Sequence, residues 1–159
     1  VVAEAAGWSR AMPNKRALGI AGHFTFGGYC AQVADVELIG HGSYKVHKVW
    51  AAIDVGIVIN PEGVTAQIEG GINDGLSTAV GQQILVEGGR ITTDNFDSYS
   101  MIRIAGSVPS IDVTIINSDA EPSGVGEMGL PPLAPAVANA IRAAGGNRLR
   151  AQPFKSQLA

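Results

Sequence analysis

One cysteine, Cys30, is all the thiol chemistry the 159 residues contain. A lone cysteine cannot close an internal disulfide. Nor can it hold an iron–sulfur cluster or a structural zinc ion, which need about four ligands. Long apolar runs are absent too. No stretch approaches the roughly 18 uninterrupted apolar residues that a bilayer span needs. Charge is sparse at 16% of residues, and 11 Lys+Arg against 14 Asp+Glu leave a net charge of −3. A chain this weakly acidic lacks the electrostatic footprint of a nucleic-acid binder or an anionic-membrane binder. The three histidines, His23, His41 and His47, form no i,i+4 pair and no metal-ligand constellation, and no Ser/His/Asp order stands out. The chain opens with Val1-Val2 in place of methionine, which points to a piece of something longer or to a processed product. Nothing in the residues fixes a compartment.

What is present is 46% apolar residues, 21 glycines and 8 prolines, enough for one domain with a real core. We read residues 1–159 as that domain: a helix end and linker over 1–15, a core over 16–146 and a polar, frayed tail over 147–159. Three strand-like runs are predicted at 16–26, 29–39 and 44–54. Gly40-His41-Gly42-Ser43 forms a hairpin turn between the last two. The alternation in the third run loses phase at Lys48-Val49-Trp50, which fits a bulge. A long helix is predicted over 62–83, with Asn60 as cap and Pro61 in its first turn. Its inner stripe is Val64, Ile68, Ile72, Leu76 and Ala79. Gly71 and Gly75 lie on or beside that stripe. Each costs about 1 kcal/mol relative to alanine, so a close approach of backbone or ligand is expected there. A small hairpin follows at 84–92, then an ordered polar loop at 95–100, a half-buried strand at 111–115 and a second helix from 133 to about 144. Strands in hairpins with helices coming singly read as α+β, a mainly antiparallel sheet with two principal helices packed on it.

Few residues carry chemistry. Gly124-Val125-Gly126-Glu127-Met128-Gly129 fits the dinucleotide fingerprint G-x-G-x-x-G, but the context is wrong. Polar loop separates the strand from Gly124, and Pro131-Pro132 delays the helix. No acidic residue or strand follows to complete the unit. NAD or NADP is therefore expected to leave thermal stability unchanged. Glu127, flanked by glycines and close to a helix start, is a general base if it faces a cleft and a solvated loop glutamate otherwise; local sequence favours the second. Gln67 either presents its amide to a ligand or sits in solvent. Cys30, in an apolar alternation, reads as packed core rather than nucleophile. His23, in an apolar run, reads as a satisfied core histidine; His41 and His47 read as solvated. Asp54 and Asn60 read as partners of nearby backbone.

Several segments together carry a resemblance. They are Gly22-His23-Phe24-Thr25-Phe26-Gly27, the run from Ala52 to Pro61, Ala66-Gln67-Ile68-Glu69-Gly70-Gly71-Ile72, Asn95-Phe96-Asp97-Ser98-Tyr99, and the run from Gly124 to Ile141. In order and spacing, over residues 17–150, the chain resembles the C-terminal part of the molybdenum-binding large subunit of the xanthine dehydrogenase/aldehyde oxidase superfamily. The branch it resembles is the isoquinoline 1-oxidoreductase beta-subunit type. The fold so implied is a fragment of a molybdopterin-binding domain.

The resemblance also implies roles. Glu127 matches the base that takes a proton from the oxygen nucleophile at molybdenum. Gln67 matches a glutamine close to the pterin, and Gly124, Val125 and Gly126 form the loop on the cofactor. The implied cofactor is molybdopterin with molybdenum, in its cytosine dinucleotide form, bound in the complete enzyme rather than by this chain alone; no residue here is a metal ligand. The implied partners are the remainder of the large subunit, an iron–sulfur electron-transfer subunit and a small-molecule substrate. The implied activity is hydroxylation of N-heterocycles or oxidation of aldehydes with water as oxygen source, with the isolated chain inactive. A stand-alone, non-catalytic structural or interaction module with the same fold is the alternative. Two departures stand out: Met128 replaces the branch's usual proline, and Asn73-Asp74 replaces an apolar pair. A piece of a larger domain should also expose apolar surface and bury it in a homo-oligomer.

Overall fold

The structure, a computed structural model, describes residues 1–40 and 42–158. A short helix α1 (Val2–Ala5) is followed by three long strands, β1 (Arg16–Thr25), β2 (Gly28–Gly40) and β3 (Ser43–Asp54). Helix α2 (Pro61–Val80) then leads through a two-residue-strand hairpin, β4 (Val86–Glu87) and β5 (Arg90–Ile91), to β6 (Ile111–Ile115). Helix α3 (Leu133–Ala143) follows, and a 3₁₀ turn (Phe154–Gln157) comes last. The main sheet has the order β1-β2-β3-β6. The first two pairings are antiparallel and β6 lies parallel to β3, so the sheet is mainly antiparallel with one parallel edge. A parallel neighbour requires a crossover, and α2 lies within it.

Two cores lie on opposite faces of the sheet. On β2 the even residues Cys30, Ala34 and Val36 face α2 and α3, while Val33 and the half-buried Ala31 face the side of α1. On β3, Val49, Ala51 and Ile53 join the helical core, yet so does Val46, with opposite parity. The pairing explains this. Asp35 opposes Lys48 while Val36 opposes Val46, so His47 is the extra residue of a bulge that flips the alternation. The phase slip expected at Lys48-Val49-Trp50 is thus real and begins one residue earlier.

The helices form where the periodicity places them. The Asn60 side chain accepts from the Gly63 N–H at 3.1 Å, and Val64, Ile68, Ile72, Leu76 and Ala79 are buried. Helix α3 lies across β1 at Gly19, where a Cβ would collide with the Ala136 carbonyl oxygen. On the other face, buried Asp35 accepts from Arg16 Nε at 2.7 Å, Arg16 Nη2 at 2.9 Å and Arg10 Nη2 at 2.9 Å. The Arg16 pKa is raised, chiefly by the hydrogen bond to Asp35. Arg10 and Lys48 both stack on the Trp50 ring.

Three expectations are corrected. The tail is not frayed: Leu149 and Phe154 are buried in the helical core, because the turn at 154–157 folds back on it. His23 is exposed rather than core: it lies close to the β1–β2 turn on β1, an edge strand of the sheet. His47 is half-buried and bonded to Glu37 at 2.7 Å across the strand pair, not simply solvated. His41 lies outside the described residues. The loop at 95–100 is ordered as expected, held by Ser98 and Tyr99 N–H groups on the Asn95 carbonyl.

Candidate functional site

The loop between β6 and α3 is laid along the end of β3 before it reaches Glu127. The Ile57 N–H donates to the Ala120 carbonyl at 3.0 Å and the Ser123 N–H to the Val55 carbonyl at 2.9 Å. At Gly56 (φ +73°) a Cβ would collide with the Glu121 carbonyl oxygen, so only glycine lets the two segments meet. The Asp54 carboxylate accepts from the Gly56 N–H at 3.2 Å, the local backbone role expected of it.

Residues 124–130 then pass over α2. The Gln67 side chain, in the second turn of α2, donates through Nε2 to the Gly126 carbonyl at 2.6 Å. Beyond it, Met128 is fully buried and Gly129 lies on the helix backbone, where a Cβ would meet the Ile68 carbonyl oxygen at 2.7 Å. Gly71 and Gly75 face the same stretch: their Cβ positions lie 3.2 Å from Gly129 Cα and 2.8 Å from the Leu130 carbonyl oxygen. The close approach expected of these helix glycines is therefore to backbone. Gln32 of β2, fully buried, donates from Nε2 to the Gly129 carbonyl at 2.7 Å.

The candidates named from sequence divide cleanly. Gln67, Gly126 and Glu127 are brought together; the Glu127 side chain is exposed and Gly126 faces open space. Gly124 lies against Phe26 of the β1–β2 hairpin, and Val125 is half-buried on the helical core. Among the described residues, the N–H groups of Gly124, Val125 and Gly126 find no backbone acceptor. Three backbone donors without a backbone partner and a side-chain amide suit the anionic part of a polar group on an open face, while the carboxylate suits a proton donor beside it. Cys30 is buried, and burial pushes its thiol up to about 11, so it is no nucleophile. The dinucleotide reading fails as expected: α3 starts only at Leu133, after the loop, and no strand follows it among the described residues. Among the described residues no group of three or more His, Cys, Asp and Glu can hold a metal ion.

Two residues escaped the sequence reading. Gln32 looks like the polar half of an alternating strand, and only its burial under Gly129 marks it. Asn73, noted only as a polar departure, accepts from the Val108 N–H at 3.0 Å and so ties the segment before β6 to α2. A cavity of about 820 Å³ lies elsewhere, between β3, the end of α2, residues 104–109 and the last turn, and takes nothing from the 124–127 loop.

A four-stranded, mainly antiparallel sheet with α2 and α3 on one face and a glycine-rich loop lying on α2 defines the class: an α+β domain. The chain belongs to the molybdopterin cofactor-binding domain family, which matches residues 3–108. It is 36% identical over 162 residues to the beta chain of isoquinoline 1-oxidoreductase from Brevundimonas diminuta, covering 99% of this chain and 21% of that protein. It is 30% identical over 123 residues to the large chain of nicotine 6-hydroxylase from Paenarthrobacter nicotinovorans, covering 74% of this chain and 15% of that one. In fold it is similar to the aldehyde oxidoreductase from Desulfovibrio gigas, with TM-score 0.70 and 23% identity over 82% of this chain and 15% of that one. The chain thus spans about a fifth or less of the length of these relatives. Several of its relatives are named as subunits, among them the molybdenum-binding subunit of an aldehyde oxidoreductase from Escherichia coli. Among the described residues no helix is long and apolar enough to cross a membrane.

Proposed function

We propose that this chain is the C-terminal portion of a molybdenum hydroxylase catalytic subunit, carrying the general base of the reaction at Glu127. The observation that carries this reading is the Gln67–Gly126 hydrogen bond of 2.6 Å, which sets a helix-borne amide beside the loop of an exposed carboxylate. The loop backbone is held at Gly126 and buried at Met128, so the carboxylate is carried on a rigid support while its own oxygens stay free. A base so placed takes the proton of the water-derived nucleophile onto a Glu127 carboxylate oxygen. Gln67 keeps one amide hydrogen and its Oε1 for the cofactor, and the Gly124, Val125 and Gly126 N–H groups supply donors to its anionic parts. When bound, the cofactor, in this reading molybdopterin in its cytosine dinucleotide form, would supply a two-electron redox metal.

The substrates in this reading are N-heterocycles or aldehydes. The partners are the remainder of the large subunit and an iron–sulfur subunit that carries the electrons away. Glu127 stands on an open face here, which suits a site completed by residues outside this chain and an isolated chain without activity. Glu127→Gln in the complete assembly is expected to lower kcat by about 10²–10⁴-fold, the usual worth of a positioned base, with molybdenum content unchanged. A variant that turns over at the wild-type rate overturns the role of Glu127. Stoichiometric molybdenum with dye-linked substrate oxidation by the 159-residue chain alone overturns the dependence on the rest of the large subunit.

A further inference from the structure

We propose that Gln32 is a positioning residue for Glu127: its buried amide, reaching from β2 to the Gly129 carbonyl, fixes the turn that carries the carboxylate. This rests on the reading of Glu127 as the base. The carbonyls around Glu127 are held from three sides. Gly126 O accepts from Gln67 Nε2 at 2.6 Å, Glu127 O from the Leu130 N–H at 3.1 Å, and Gly129 O from Gln32 Nε2 at 2.7 Å. Gln67 comes from α2 and Gln32 from an inner strand of the sheet, so the turn is clamped between two independent elements.

Gly129 cannot slide to find another partner, because its Cα face is pressed on Ile68 and Gly71. Gln32 cannot turn its amide over either, since Oε1 would then oppose a carbonyl oxygen. Nε2 has only Cys30 Sγ, at 3.8 Å, as a further neighbour, and Oε1 has no partner among the described residues. A buried amide with one end unpaired is a costly way to fill a core. The return is a fixed carbonyl two residues from the base. A glutamate at this position would donate to Gly129 O only while protonated, which supplies a diagnostic substitution.

The test is amide hydrogen exchange on the 159-residue chain, followed in a peptide spanning residues 124–130. In Gln32→Leu the Leu130 amide is expected to exchange about tenfold faster or more, with amides in the middle of β1–β3 within about twofold of wild type. Gln32→Glu, compared with wild type at each pH, is expected to match it at low pH and to lose protection once the carboxylate forms. In the assembled enzyme Gln32→Leu is expected to lower kcat about tenfold with KM unchanged, the mark of misplacement rather than lost binding. Wild-type exchange of the loop in Gln32→Leu, or acceleration spread evenly over the sheet, overturns the proposal. So does a Gln32→Glu loop whose exchange, taken as a ratio to wild type at each pH, does not change with pH, which decides the matter if the leucine variant does not fold. If Glu127→Gln keeps full activity while the exchange results stand, the reading of Glu127 fails and the clamp survives.

Discussion

Cys30 and Tyr44 show how strongly burial sets the chemistry of a side chain. Desolvation raises the thiol of Cys30 from 9.0 to about 11 and the phenol of Tyr44 from 10.0 to about 12. Both groups are neutral when protonated, and the fold holds that form to higher pH than the unfolded chain does. The stability they contribute is therefore fully present below pH 9 and is lost as pH rises from about 9 to about 12. The loss is on the order of 2–3 kcal/mol for each group. Thermal unfolding followed against pH is expected to be flat with respect to these groups up to about 9 and then fall. Cys30→Ala is expected to remove the earlier part of the fall and Tyr44→Phe the later. Cys30 was legible as core because it stands in an apolar alternation. Gln32 was not legible as a loop anchor, because its partner Gly129 lies 97 residues away and nothing local distinguishes it from a solvated strand residue.

At the scale of elements, α2 and the 124–130 loop are made for one another. The apolar stripe and the Asn60 cap of α2 could be read directly, since both follow from the helical period and the unpaired N–H groups of a first turn. Its glycines announced a close neighbour without saying which; the neighbour is the Gly129–Leu130 backbone. Two glycines of one loop should consequently behave oppositely. Gly129→Ala brings a methyl to 2.7 Å from the Ile68 carbonyl oxygen and is expected to cost about 1–3 kcal/mol as an overpacked contact. Gly126→Ala meets nothing within 4 Å and is expected to stay within about 0.5 kcal/mol of wild type. Urea unfolding of the two variants checks this, and equal effects would show that the loop does not sit on the helix in solution.

Over the whole molecule, the sheet is covered by α2 and α3 on one face and in part by α1 on the other, yet much apolar surface stays open. Phe24, Phe26 and Tyr29 stand exposed at the tip of the β1–β2 hairpin, and Ile59, Phe96 and Ile104 are 87%, 89% and 94% exposed. Exposure of this kind is uncommon on a free monomer. The chain is expected to self-associate, and sedimentation velocity over rising concentration should show species larger than 16.4 kDa. A single monomeric species at high concentration would show that these side chains do not drive association.

The order of strands and helices, the capped amphipathic α2 and the glycine-rich loop ahead of α3 were all determined by the chain itself. They depend on periodicity, turn chemistry and propensity, which act within about a dozen residues. The segments from Gly22 to Ile141 that carry the family resemblance were equally plain. Tertiary structure alone decided the parallel placing of β6, the burial of Leu149 and Phe154 in the tail, the exposure of His23, and the meeting of Gln67 and Gln32 with the carbonyls on either side of Glu127. Those contacts join residues far apart along the chain. They are selected by how layers pack and by the need of each buried polar group for a partner, and neither requirement leaves a mark on local sequence.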